Sequence, residues 1–356
     1  MRDSIKSDDL RAQGWAAYSA GRHDDAAALY AQAVAADPNS GPAHHDLGCL
    51  RKALGHLEAA RTSLEAACLL LPDEPRSRHA LGGVLLALGH YRHGGALSDA
   101  RYEIPELGLR KPPFSYPEWQ GEDPAGRGIL LFPEQGLGDQ IQYARFAPWL
   151  AARGADVTLL CHPALQRLFA QSLGVRVLAA RGQVEFPDPD AWVMMGSVTG
   201  RGGFTPETLP NAPYLRAAET TPLAGGRIGV ATRGNPSHPN DAHRSLPADA
   251  AAQLLSLPGA ISLHPEDTGA ADFADTAQIV AGLDLVVSVD TSVAHLAGAM
   301  GKPVWILLPR LMADWRWMQG RADSPWYPSA RLFRQSAAGD WASVIEDVLR
   351  ELADAR

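Results

Sequence analysis

The chain has 356 residues, more than one compact domain usually uses, and its formal net charge of −8 gives no basic footprint of the kind that bulk nucleic-acid binding needs. Hydrophobic residues at 46% and charged residues at 20% supply a core and exclude a disordered chain. Cys49, Cys68 and Cys161 have the spacing of neither a disulfide framework nor a zinc ribbon. The first residues stay polar through Asp9, without the apolar stretch of a secretory signal. No apolar run approaches the ~20 residues that cross a bilayer. A cytoplasmic protein with no transmembrane segment is therefore expected.

The first 100 residues repeat. Gly14, Gly48 and Gly82 are 34 apart, and so are Gly21, Gly55 and Gly89. Ala26, Ala60 and Gly94 follow in register, as do Ala33 with Ala67 and Pro38 with Pro72. A 34-residue period with small residues at these offsets resembles the tetratricopeptide repeat, a helix–turn–helix unit. The third copy degrades: Ser98 stands where Tyr30 and Leu64 stand in the first two, and no proline falls in register. An array this short is expected to pack on a following domain. It reads either as a partner-binding groove, the favoured reading, or as a structural cap.

Pro112, Pro113 and Pro117 exclude a helix and mark an extended linker over residues 111–127. The pattern then becomes strand, glycine turn, helix. Strands are expected at Ile129–Phe132 and Val157–Cys161. Helices are expected at Asp139–Ala152, kinked or ended near Pro148, and at Pro163–Gln171. A second alternating block starts at Arg227, with strands at Ile228–Ala231, Ala260–Ser262, Leu285–Val289 and Val304–Leu308. Its helices fall at Pro247–Ser256, Thr276–Ala281 and Ser292–Met300, and a last helix covers Trp341–Ala353. The fold class is thus α plus α/β. Helical repeats over 1–110 precede two Rossmann-like lobes, 128–225 and 226–356, with a cleft where strand C-termini face each other.

Three stretches carry chemistry. In Pro133-Glu134-Gln135-Gly136-Leu137-Gly138-Asp139, Gly136 and Gly138 permit close approach of a ligand. On the turn alone Asp139 reads as a helix N-cap ahead of a general base at the cleft mouth, with Glu134 the next carboxylate. The turn lacks the full glycine pattern of a dinucleotide site. In Asp290-Thr291-Ser292-Val293-Ala294-His295, a buried strand runs into a helix whose N-terminus suits a phosphate. Thr291 and Ser292 would add hydroxyl donors. His295 lies off the apolar stripe of Val293, Leu296, Ala297 and Met300 and would add a donor or a charge. The plainer reading is a capped helix with a half-buried histidine; the anion site is favoured. The loop over 232–247, with Arg233, Asn235, His238, His243 and Arg244, reads as a solvated loop or, preferably, as a diphosphate contact. No His, Asp or Glu set has metal-ligand spacing, so no metal is expected. Trp305, Trp315, Trp317, Trp326 and Trp341 are expected to pack the closing segment between the lobes.

These strings, with Gly234-Asn235-Pro236, Arg244-Ser245-Leu246-Pro247, Asp314-Trp315-Arg316-Trp317 and Asp323-Ser324-Pro325-Trp326-Tyr327-Pro328, resemble bacterial glycosyltransferases of the heptosyltransferase-like GT-B type (family 9). More closely, the chain resembles repeat proteins with a C-terminal glycosyltransferase-like domain, some of them similar to flagellin glycosyltransferases. A more distant similarity is to repeat-bearing O-GlcNAc transferases. The resemblance implies a metal-independent, inverting transfer from a nucleotide-sugar substrate to a protein or glycan acceptor, with no cofactor. It implies that Asp139 acts as the base. Gly136, Gly138, Asn235, Arg244, Asp290, Thr291, Ser292 and His295 would then hold the donor, and the repeats would dock the acceptor. The chain departs from the pattern at Thr232-Arg233-Gly234 and after His264, which leaves the donor open. A noncatalytic repeat scaffold and a sugar-nucleotide epimerase or hydrolase are the alternatives.

Overall fold

A computed structural model describes residues 2–220 and 228–354. The chain divides into a helical unit, residues 1–110 with 311–319, and a strand-bearing unit, residues 111–310 with 320–356. The expected boundary between 225 and 226, and Arg227, lie outside the described residues.

The helical unit holds α1 (Arg2–Ser19), α2 (His23–Ala36), α3 (Gly41–Ala53), α4 (Leu57–Leu70), α5 (Pro75–Ala87) and α6 (Tyr91–Ser98). Gly21, Gly55 and Gly89 turn the chain inside each pair at φ between +73° and +86°, where a side chain would be strained. The first helix of each pair carries a glycine against the second. A Cβ at Gly14 would stand 2.6 Å from the Tyr30 ring, and one at Gly48 would stand 2.5 Å from Leu64. The same position explains the degraded third copy. With Ser98 in place of a large residue, α5 and α6 close to backbone contact, and a Cβ at Gly82 would stand 2.5 Å from the Ser98 nitrogen. Residues 311–319 complete this end of the unit. The Trp315 ring meets Tyr91 edge-on at 5.9 Å, and the Met312 N–H donates to the Ala53 carbonyl at 3.0 Å.

The other unit contains two parallel sheets. The first has the order β3-β2-β1-β4. Its elements are β1 (Gly128–Phe132), α7 (Leu137–Tyr143), α8 (Phe146–Ala151), β2 (Asp156–Cys161), α9 (Pro163–Ser172), β3 (Arg176–Ala179), β4 (Ala191–Met194) and the short α10 (Val198–Arg201). The second has the order β6-β5-β7-β8-β9. It is built from β5 (Ile228–Ala231), α11 (Asp241–Arg244), α12 (Ala248–Leu255), β6 (Ala260–Ser262), α13 (Pro265–Thr268), α14 (Phe273–Ala281), β7 (Leu285–Val289), α15 (Ser292–Ala299), β8 (Val304–Leu308), β9 (Ala330–Arg334) and α16 (Trp341–Asp354). All pairings between these strands are parallel. Val230, Val287, Val289, Leu307 and Phe333 pack with Leu254, Trp341, Val344, Ile345 and Val348 of the covering helices. Burial of strands on both faces explains their near-continuous apolar runs.

Several expectations are corrected. The helix read over Asp139–Ala152 is two helices, parted at Ala144 and Arg145 rather than at Pro148. The Ile141 carbonyl accepts the Tyr214 hydroxyl at 2.8 Å and the Gln142 carbonyl accepts Arg145 Nε at 2.8 Å, while Pro148 sits in the first turn of α8, which needs no N–H there. Strands β3, β4 and β9 were not expected. The stretch read as a linker is extended, but Trp119 N–H donates to the Trp192 carbonyl and Trp192 N–H to that of Pro117, which lays the segment along β4. The late tryptophans do not form one cluster. Trp305 lies tilted against Phe333, Trp341 enters the core from the start of α16, Trp326 is buried under Arg145, and Trp315 belongs to the helical unit.

Candidate functional site

In an open parallel sheet, a crevice forms at the strand C-termini where neighbouring strands send their connections to opposite faces. That point lies between β1 and β4 in the first sheet and between β5 and β7 in the second. The turn after β1 and the turns after β5 and β7 are the three stretches singled out by sequence.

The turn after β1 is held by its own side chains. Glu134 is buried, and its Oε1 accepts the Gly196 N–H at 2.9 Å, so this carboxylate braces the turn. Gln135 has φ +60°, in the left-handed region although it is not glycine; such strain gathers at functional turns. Gly136 is the N-cap of α7. Asp139 is therefore the third helical residue and not the cap itself. Its Oδ2 accepts the Gly136 N–H at 2.9 Å, a bond reaching back over the first turn. Asp139 remains partly exposed.

The turn after β7 differs more from expectation. Thr291 is the N-cap of α15, yet its side chain caps nothing. Ser288 Oγ donates to the Val289 carbonyl at 2.7 Å, so Thr291, 3.1 Å away, supplies the hydrogen of the bond between the two hydroxyls. The Thr291 hydrogen is thereby spent on Ser288, and toward a ligand its oxygen can only accept, where a donor was expected. The leading N–H groups of α15 have no partner within the helix, and the cap side chain takes none of them. His295 is not half-buried but 5% exposed, because α15 is buried on all sides from Ala294 to Ala299. Its Nε2 lies 3.9 Å from Asp290 Oδ1, and its Nδ1 lies 2.9 Å from the Tyr327 hydroxyl.

The two turns meet. A Cβ at Gly138 would stand 2.9 Å from His295 Cδ2 and 3.4 Å from Ser292 Cα, so only glycine lets α7 approach α15 this closely. The start of α7 thus lies against Ser292 and His295 at the head of α15, with His295 beside Asp290.

The loop after β5 contributes Arg244. Its Nη1 donates to the Asp290 carbonyl at 2.9 Å and its Nε to Asp241 at 3.3 Å, which ties α11 to the end of β7. Asn235 is exposed, and its Oδ1 accepts the Ser237 N–H at 3.0 Å, a local turn bond. Arg233 pairs with Glu266, and His238 and His243 are exposed. His264, buried beside Thr232, accepts the Thr232 N–H on Nε2; burial, then the nearby Arg233, pushes it below the usual histidine range. Among the described residues no group of three or more His, Cys, Asp or Glu is placed to hold a metal ion.

Three residues escaped the sequence reading. Arg145 is buried and lies over the rings of Tyr214, Trp326 and Tyr327 at 4.8, 5.0 and 4.8 Å. Burial raises both tyrosines above the ordinary tyrosine range. They stand behind His295. Only the aromatic string around Tyr327 hinted at them.

Residues 17–84 match the tetratricopeptide repeat family. The N-terminal helices are tetratricopeptide repeats. Protein FlbA of Caulobacter vibrioides is 26% identical over 383 residues, covering 89% of this chain and 62% of its own length. The chain thus spans less than two thirds of that relative. Among solved structures, the repeats are similar to the Sgt2 TPR domain of Aspergillus fumigatus, at 24% identity over 29% of this chain and 68% of that one, with a TM-score of 0.27. They are also similar to the type III secretion chaperone SycD of Yersinia enterocolitica in complex with a peptide of the translocator YopD. There the identity is 23% over 30% of this chain and 79% of that one, with a TM-score of 0.26. No described helix is long and apolar enough to cross a membrane.

Proposed function

We infer that the chain is a metal-independent, inverting glycosyltransferase of GT-B type that moves a sugar from a nucleotide-sugar to a protein acceptor. The repeats dock the acceptor, and flagellin is the acceptor class that the sequence resemblance favours. One observation supports the reading: the turn after β1 and the head of α15, each at the switch point of its parallel sheet, are brought against each other through Gly138, the residue before Asp139.

The chemistry follows from the groups there. Asp139 takes the proton of an acceptor hydroxyl. The oxygen bonds to the anomeric carbon from the face opposite the donor diphosphate. The bond from that carbon to the diphosphate oxygen breaks, and the nucleoside diphosphate leaves with the electron pair. The leading N–H groups of α15, the Ser292 hydroxyl and the Arg244 guanidinium meet the charge that develops. Asp290 and His295 border the sugar and phosphate.

A second reading, a repeat scaffold without catalysis, draws on Asp139, Thr291 and Arg244 each having a partner in the chain. A thermal-shift screen with UDP-, GDP-, ADP- and CMP-sugars separates the two. A ligand at 100-fold its dissociation constant stabilises by ~2.7 kcal/mol. Glycosyl transfer expects one donor to do so, and the combined Thr291→Ala and His295→Ala changes to abolish it. No shift with any donor overturns the reading.

A further inference from the structure

We propose that the cavity between α8, the end of α9 and residues 210–216 binds a small organic anion, an oxyanion carried on a flat apolar body.

The cavity has a volume of about 470 Å³ and lies wholly within the strand-bearing unit. That volume is in the range of small-molecule sites. None of the residues of the three turns lines it, so it is a site apart from the crevice at the strand C-termini. Its walls are apolar: Pro148 and Trp149 from α8, Pro213 and Leu215 from the segment after α10. The Trp149 ring is set in place by Phe204, edge-on at 4.9 Å, and by Arg153, stacked over it at 3.9 Å.

Two arginines line this apolar space and, among the described residues, no carboxylate does. Arg145, at the break between α7 and α8, is only 1% exposed, and a buried charge is costly without an opposite one. Its partners are all neutral. It donates to the Gln142 and Trp326 carbonyls, each at 2.8 Å, and to the Pro210 carbonyl and the Tyr214 hydroxyl, each at 3.3 Å. No Asp or Glu among the described residues pairs with it. Arg216 supplies the second charge from a fixed place. Its N–H donates to Ser172 Oγ at 3.1 Å, its carbonyl accepts Gln171 Nε2 at 3.0 Å, and its Nε donates to the Gln171 carbonyl at 3.1 Å. These bonds tie Arg216 to the end of α9 and leave both of its Nη groups without a partner among the described residues. A guanidinium anchored at Nε and open at Nη presents the paired donors that bind an oxyanion in a bidentate way. An anion in the cavity gains from both arginines, and the tryptophan and proline walls take the apolar remainder of the molecule. Inorganic phosphate would use the charge and leave the walls empty.

Isothermal titration calorimetry of the full-length protein with phenyl phosphate and benzoate tests the site. The two probes share the chemistry and differ in the oxyanion, so the tighter one identifies it. Saturable binding at a single site is expected for at least one of them. Benzyl alcohol and inorganic phosphate each carry half of that chemistry and should bind at least about tenfold more weakly. Arg216→Gln removes the open charge from an exposed position and should weaken binding at least about tenfold. Ala212→Trp, also at an exposed position on the cavity, fills it and should abolish binding. Both variants should melt at the wild-type temperature; if Arg216→Gln does not fold, Ala212→Trp decides. Binding kept in the variants but lost in Thr291→Ala with His295→Ala would assign the anion to the crevice and overturn the proposal. Failure of both probes to bind, or equal affinity for inorganic phosphate, overturns it too.

Discussion

Gly298 and Tyr327 are close enough that a single methyl group decides their packing. A Cβ at Gly298 would meet three ring carbons of Tyr327 at 2.5 to 2.9 Å, and that ring is fully buried. Overpacking of this kind costs typically 1–3 kcal/mol. Gly298→Ala is expected to lower the urea midpoint by a corresponding amount, and an unchanged midpoint would show that the ring can yield. Asp139 separates stability from rate. Asparagine keeps an oxygen for the Gly136 N–H but cannot take a proton, so Asp139→Asn should melt near the wild-type temperature and lose roughly 10²–10⁴ in turnover. Turnover within a few-fold of wild type would leave the carboxylate with its backbone bond alone. Asp139 and His295 were legible because each lies in a short string whose glycines and apolar neighbours announce a strand running into a helix. Arg145, Tyr214 and Tyr327 were not, because what joins them is spatial: Arg145 reaches the Trp326 carbonyl across 181 positions of sequence.

At the level of elements, α9 of the first sheet and α14 of the second are joined by one arginine. Arg167 donates to both oxygens of Asp272, at 2.9 and 2.6 Å, and pairs with Asp275 as well. The guanidinium holds both carboxylates below their ordinary range, helped by backbone N–H groups at the start of α14. A depressed carboxylate stabilises the fold above its unfolded pKa of about 3.9 and ceases to do so as the pH falls through the lower folded value. The melting temperatures of wild type and Arg167→Ala should therefore differ by a steady amount from pH 7 down to about 4 and converge below. A gap that persists at low pH would assign the difference to packing of the arginine stem. The same scale shows why some strands were readable. β1, β2, β5, β7 and β8 present apolar runs because helices cover both faces, whereas β3 and β9 are edge strands that include Arg176, Arg331 and Arg334. β4 is only Ala191–Met194, too short to stand out after a run of proline and aspartate.

For the whole molecule, the two units make different demands on a shortened protein. A chain beginning at Trp119 loses Phe114, which packs edge-on against Phe132, Phe186 and Trp192; one beginning at Lys111 keeps it. The Lys111 form is expected to bind the nucleotide-sugar with unaltered affinity and to lose transfer to the protein acceptor. Transfer at an undiminished specificity constant would remove the docking role from the repeats. Such a protein also strands residues 311–319, and Trp317, fully buried in the intact chain, becomes a source of aggregation.

The membership of residues 311–319 in the helical unit has a consequence for synthesis. Residues 1–110 leave the ribosome before the strand-bearing unit, but the segment that finishes the repeats emerges about 200 residues later. At ~5–20 residues per second this is a wait of about 10–40 s. Meanwhile α5 and Tyr91 lack the Trp315 turn that packs on them. The helical unit is thus completed only after residues 111–310 of the other unit have been made. Protease resistance of the nascent repeats should rise in two steps, the second only when residue 319 clears the exit tunnel. A single early rise would show that six helices suffice by themselves.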